Sequence, residues 1–274
     1  FCILLLSACS VWQKSAVELP PISKPSYLDL SLSNEEKFAV SLNNQLPVDR
    51  YVILGSEIDS VNTLLNTINP IQLSALDSIS ISLMSAVDST SYLEIAESMS
   101  GSALIGNPKT VQADTTYLYN LPVGKGKSYR ILQGQNGSFT HHQPGNRYAV
   151  DFAMSVGDTV YAVRDGMVAY LYEESTVGGN DPAYLPYSNS LLILHDDGTV
   201  ANYSHLYTES VFVEIGDQVE TGQPVALSGN TGYISGDHLH LNLTVPVDTG
   251  HVSIPFYFEG YNGRRFRKGD VVSH

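Results

Sequence analysis

The apolar positions of this chain recur mostly with a period of two. From Phe38, "FAVSLNNQLPVDRYVILG" alternates apolar and polar residues around Asn-Asn and Leu-Pro, which predicts a hairpin of two strands. "SISISLMSAV" alternates as well and puts Ile79, Ile81 and Leu83 on one face. Between these runs Val61, Leu64 and Leu65 recur at helical spacing before Pro70, so "IDSVNTLLNTINP" predicts a short helix. Beyond Tyr117 the strand runs are punctuated by Gly-Asp or Asp-Gly turns, as in "VGDTVYAVRDGMVAYLY", "NSLLILHDDGTVANYSHL" and "IGDQVETGQPVALSGNTG". Strands spaced this closely favour antiparallel pairing over βαβ crossovers. Gly-Asp-x-Val recurs at 157–160, 216–219 and, more loosely, 269–272, which predicts similar turns entering several strands. The expected fold is mainly β.

The same texture divides the chain of 274 residues, of which 43% are hydrophobic, into three stretches. Residues 119–274 form the larger, antiparallel β-sheet domain. Residues 27–118 read as a small β-rich module without a cluster of His, Cys or acidic residues of its own. Residues 1–26 read as a signal remnant and tether: "SVWQKSAVELPPISKPS" has no period and carries three prolines. Before it, "FCILLLSACS" is an apolar run too short to span a bilayer, ending in small residues and a cysteine. "LSAC" resembles the lipobox of bacterial lipoproteins, with Cys9 as the lipid-bearing residue and an extracytoplasmic address. Cys2 and Cys9 are the only cysteines, so the chain after Cys9 forms no internal disulfide. The formal net charge of −14 provides no cationic field for phosphate backbones, and nucleic acid is not an expected partner.

Histidines supply the candidate chemistry. In "DHLHLNL", His238 and His240 sit two residues apart, so their imidazoles share one face of a strand about 7 Å apart while Leu239 and Leu241 face a core. "THHQPGNRYAVDFAM" adds His141 and His142 and then Asp151 in an otherwise apolar strand, where an unpaired carboxylate is costly and a metal ion offsets that cost. "ANYSHLY" adds His205, just after a strand whose preceding turn is Asp196-Asp197-Gly198. Two histidines and an aspartate, with a fourth position left for water, match the open arrangement of catalytic zinc. Without thiolates in this region an iron–sulfur centre is excluded, and the oxygen-rich loops that calcium needs are missing. No Gly-x-Ser-x-Gly elbow is present, and Ser204 points away from His205 if its strand continues. His195, His251, His274 and the turn residue Asp165 read as structural.

From about Gly137 to Phe256 the sequence resembles the lysostaphin-type, or LytM-like, zinc endopeptidases that cut peptide cross-links of bacterial peptidoglycan. The resemblance is carried in order by "HQPGNRYAVDFAM", "GDTVYAVRDGMV", "LLILHDDGTVANYSHL", "GDQVETGQPVALSGNTG" and "GDHLHLNL". It implies zinc (Zn2+) held by His142, Asp151 and His240, with His205 and His238 as the non-ligating catalytic pair. The best-known members carry a histidine four residues before the aspartate, where this chain has Arg147. The longer spacing belongs to the branch with "YAVDF", and His141 is the rival of His142 as ligand.

The resemblance also implies the reaction and its setting. Zinc lowers the pKa of water and polarises the scissile carbonyl, and a neutral imidazole accepts and returns the proton. The expected substrate is the stem peptides of peptidoglycan. A lipid on Cys9 would hold the protein at a membrane of the cell envelope, and Ser10 rather than Asp after that cysteine points to the outer membrane, facing the periplasm. Some relatives lose the ligands and instead bind or activate other wall hydrolases, a reading that the complete ligand set here opposes. Others are latent under a covering segment, which residues 27–118 could supply, and a regulatory protein partner is a separate expectation.

Overall fold

The computed structural model describes residues 19–22, 24–25, 27–33, 39–83, 86 and 92–274. Cys2, Cys9, most of the expected tether and Phe38 lie outside these residues. The N-terminal part runs β1 (Leu28–Ser33), β2 (Ala39–Asn44), β3 (Arg50–Ser56), α1 (Asp59–Ile68), β4 (Ile71–Leu73), β5 (Ser78–Ser82), α2 (Tyr92–Ser98) and β6 (Met99–Ile105). The helix predicted before Pro70 is α1, which buries Val61 and Leu65 against a core with Val40, Leu42, Val52 and Leu54.

The predicted hairpin forms its two strands but not their pairing. β2 pairs with β1 and β5, whereas β3 pairs with β4 and β6, giving two separate three-stranded antiparallel sheets among the described residues. The link between β2 and β3 is no tight turn. Asn44 donates to Val48 O and Ser74 O and accepts from Leu46 N, and this bridging sends Leu46 and Val48 into a buried apolar seam. The other side of that seam is Ala169 and Val200 of the C-terminal part. Tyr51 Oη donating to Asp248 Oδ1 at 2.9 Å and His251 Nε2 donating to Ile105 O at 3.0 Å join the same two parts.

The C-terminal part contains β7 (Leu118–Tyr119), β8 (Ser128–Gln133), β9 (Val150–Phe152), β10 (Thr159–Tyr161), β11 (Gly166–Tyr172), β12 (Gly178–Gly179), β13 (Ser190–Leu194) and β14 (Val200–Ser204). It continues with β15 (Gln218–Val219), β16 (Pro224–Leu227), β17 (Gly232–Tyr233), β18 (Leu239–Val247), β19 (Gly250–Ser253), β20 (Tyr257–Phe258) and β21 (Val271–Ser273). Among the described residues, nine of these strands make one sheet in the order β15-β11-β13-β14-β18-β9-β8-β21, with β19 on the far end of β18. Its pairs are antiparallel, as the tight Gly-Asp turns require.

Alternation in the central strands gives the sheet two faces. Leu239, Leu241 and Leu243, with Val150, Phe152, Ala201 and Tyr203, are fully buried in the main core. The opposite face carries polar residues in lateral rows, because β18 pairs His240 with both Asp151 and Ser204, and Asn242 with Asn202. Pro20 and Lys24 contact this part too, with Tyr187 Oη donating to Pro20 O and Lys24 Nζ donating to Ser188 O at 2.9 Å.

Candidate metal centre

The row across β9 and β18 places the first two groups. Asp151 and His240 are direct cross-strand partners, and His240 Nδ1 lies 2.9 Å from Asp151 Oδ1. The third group comes from the loop between β8 and β9. His141 is fully buried, its Nδ1–H donates to Gly134 O at 3.0 Å, and its Nε2 faces Asp151 Oδ1 at 3.3 Å. His141, Asp151 and His240 offer three ligand atoms within 4.8 Å of one another, all from buried residues.

This corrects the expectation for His142. His142 is exposed, and its Nε2 lies 2.9 Å from Gln143 Nε2. Adjacent residues here point to opposite sides, and the Gly134 carbonyl claims the first of the pair. Arg147, at the position where other members have histidine, is exposed.

The electrostatics suit a cation. Burial works against ionisation of Asp151, but the hydrogen bond from His240 and the surrounding imidazoles outweigh it and hold the carboxyl well below the usual range. Burial also lowers the pKa of His240 and keeps its imidazole neutral. With its Nδ1 proton given to Gly134 O, His141 turns the lone pair of Nε2 toward a carboxylate oxygen. That nitrogen is buried and has no hydrogen-bond partner. Two acceptors face each other across a gap that a cation satisfies, and nitrogen and carboxylate oxygen donors without sulfur are a fitting set for zinc.

His205 and His238 flank the cluster. Their rings are 4.6 Å apart, His205 is 6.0 Å from the His240 ring, and His238 Nε2 is 3.9 Å from Asp151 Oδ1. Each donates Nδ1–H to a backbone carbonyl, His205 to Thr231 O at 2.7 Å and His238 to Gly236 O at 2.8 Å, which leaves Nε2 as the free acceptor. Burial, reinforced by His238 and His240, depresses the His205 pKa to about 3, so it is neutral at neutral pH.

His205 reaches this face by a backbone device. Ser204 already occupies the polar face opposite His240, so a continuing strand would turn His205 into the core. Instead His205 adopts a left-handed conformation, φ +64°, which costs about 1–3 kcal/mol for a residue with a side chain. Ser204 bonds Asn202 Oδ1 rather than the histidine, and Asp165 accepts from Thr221 in a turn, so neither joins the site. Gln133, which donates to Asp151 Oδ2 at 3.1 Å, is a site residue that no motif in the sequence marked.

Residues 145–252 match the model of peptidase family M23, a span that begins four residues after His141 and takes in Asp151, His205, His238 and His240. The peptidoglycan DD-endopeptidase ShyA of Vibrio cholerae is 35% identical over 108 residues, which are 38% of this chain and 22% of that protein. The glycyl-glycine endopeptidase ALE-1 of Staphylococcus capitis is 33% identical over 96 residues, 35% of this chain and 24% of its own. Among solved structures, the antimicrobial peptidase lysostaphin from Staphylococcus simulans is 27% identical with a TM-score of 0.35, covering 46% of this chain and 47% of that one. The chain thus spans about a quarter of the length of the two endopeptidases it matches. Over residues 145–252, less than half of the chain, the protein is thus similar to peptidase family M23 and to these endopeptidases.

Proposed function

We propose that this protein is a zinc-dependent endopeptidase that hydrolyses the peptide cross-links of bacterial peptidoglycan. The observation that carries the reading is the buried, unpartnered Nε2 of His141 aimed at the ionised carboxylate of Asp151 beside His240. These three residues would hold the metal, His141 through Nε2 and His240 through Nδ1. The substrate class is supported by the named activities of the relatives, a peptidoglycan DD-endopeptidase and a glycyl-glycine endopeptidase.

When bound, zinc supplies Lewis acidity that lowers the pKa of water and polarises a carbonyl. The chain's own residues do the rest. His205 and His238, fixed by their Nδ1 bonds to Thr231 O and Gly236 O, present two Nε2 acceptors side by side. A proton released by the attacking water is taken up at one of these nitrogens and delivered to the departing amine, general base and then general acid. No side-chain nucleophile is needed, in keeping with Ser204 being engaged by Asn202.

Localisation follows from the sequence reading: a lipid on Cys9 and the proline-bearing tether would hold the enzyme in the cell envelope, at the outer membrane facing the periplasm. Metabolic labelling with a fatty-acid probe tests this, with label expected on the native sequence and lost in Cys9→Ala.

The activity is tested by incubating the purified protein with isolated sacculi, with and without a chelator, and identifying released fragments by mass. We expect peptide-bond cleavage products that vanish with chelator and return with zinc. Zinc-loaded protein that releases nothing from any wall type would refute the proposal.

A further inference from the structure

We infer that Gln133 is a positioning residue that fixes both Asp151 and the segment delivering His141, so that one side-chain amide sets the shape of the metal centre. The inference rests on the reading of His141, Asp151 and His240 as that centre, and it concerns a residue outside the M23 match.

The backbone aims Gln133 deliberately. β8 and β9 pair Ile131 with Phe152 and Gln133 with Asp151, a register shift that inserts Leu132 as an extra residue and brings Gln133 level with the aspartate. The lateral row on the polar face is therefore Gln133, Asp151, His240, Ser204.

The amide of Gln133 then uses its whole hydrogen-bonding capacity. Nε2 donates to Asp151 Oδ2 at 3.1 Å and to Thr140 Oγ1 at 2.8 Å. Oε1 accepts from Phe139 N at 3.0 Å and from Thr140 N at 3.1 Å, the two residues just before His141. Two backbone N–H donors identify the oxygen end of the amide, so its orientation is fixed.

Two consequences follow for the centre. With Oδ2 held by Gln133, Asp151 turns only Oδ1 to the histidines, and it is Oδ1 that lies 2.9 Å from His240, 3.3 Å from His141 and 3.9 Å from His238. With Oε1 gripping Phe139 and Thr140, the chain enters His141 along a fixed path, and the Gly134 carbonyl completes the orientation of its ring. The neighbouring glycine leaves room for this arrangement: a Cβ at Gly137 would sit 2.4 Å from Gln133 Cγ and 2.9 Å from its Cδ.

The test measures metal affinity, using cobalt(II) as a spectroscopic probe for zinc and competition against a chromophoric chelator. Gln133→Met keeps the side chain's length and removes its amide. Gly137→Ala keeps the amide and displaces it. Both variants are expected to weaken cobalt binding about 10- to 100-fold, the usual effect of losing an outer hydrogen-bond partner of a ligand. The visible ligand-field spectrum should also change shape. If Gln133→Met fails to fold by circular dichroism, Gly137→Ala carries the test. Native affinity and an unchanged spectrum in the folded variants would overturn the inference while leaving the metal centre standing. Native protein that binds neither cobalt nor zinc would overturn both.

Discussion

His141 and His142 are neighbours in sequence, and the account gives them opposite fates when each is replaced by alanine. His141→Ala removes a fully buried imidazole whose Nε2 is one of three clustered ligand atoms. Zinc binding to four-ligand protein sites is worth about 10–16 kcal/mol, or about 2.5–4 kcal/mol per ligand. Losing one ligand therefore weakens zinc binding by roughly two to three orders of magnitude, at about 1.4 kcal/mol per factor of ten. The same change strips Gly134 O of its buried partner. This costs the metal-free protein about 1–3 kcal/mol, a fall in melting midpoint of roughly 2–10 °C. His142→Ala removes an exposed ring that reaches only Gln143, so affinity should be unchanged and stability should move by no more than about 0.5 kcal/mol. Chelator competition and thermal melts of the two variants provide the assay. Loss of zinc in His142→Ala, with native affinity in His141→Ala, would refute the assignment.

The remaining expectations concern catalysis and acid stability. His205→Ala and His238→Ala should keep zinc within about tenfold but lose turnover by roughly 10²–10⁴, the usual weight of a general acid–base group, whereas His240→Ala should lose metal and activity together. Equal metal loss in all three would mean that the division between ligands and proton carriers is mistaken. His195 is 2% exposed, donates Nδ1–H to Asp165 O at 2.8 Å, and has its pKa lowered by burial to about 4 from the usual 6.5. Between those values the unfolded chain binds a proton that the folded protein refuses, so stability falls as pH drops from about 6.5 to about 4, by up to about 3 kcal/mol. Urea unfolding at several pH values should show a shallower acid decline for His195→Gln than for the native protein, and identical slopes would exclude this origin.

The sequence showed which residues share a face but not which residues meet. Alternation in "DHLHLNL" placed His238 and His240 on the side opposite Leu239 and Leu241, and the structure keeps that division. The mainly β, antiparallel character followed from the Gly-Asp turns. Register was not legible: the alignment of Asp151 with His240 and Gln133 depends on a bulge, which no repeat in "SYRILQGQNG" announces. His141 could not be separated from His142, because the loop from Gly134 to Tyr148 has no period and a carbonyl makes the choice. The turn of His205 onto the polar face was not legible, since a left-handed residue after a strand leaves no mark in composition. The pairing of β2 and β3 was misread for a related reason, as Leu46 and Val48 serve a seam with a distant part of the chain rather than a turn.

The measurement that bears most directly on the central claim is an anomalous difference map recorded at the zinc edge from crystals of the purified, metal-loaded protein. The account predicts a single strong peak bounded by His141 Nε2, an oxygen of Asp151 and His240 Nδ1, with His205 and His238 nearby and His142 remote. A peak liganded by His142, or zinc-loaded crystals without a peak among His141, Asp151 and His240, would contradict it.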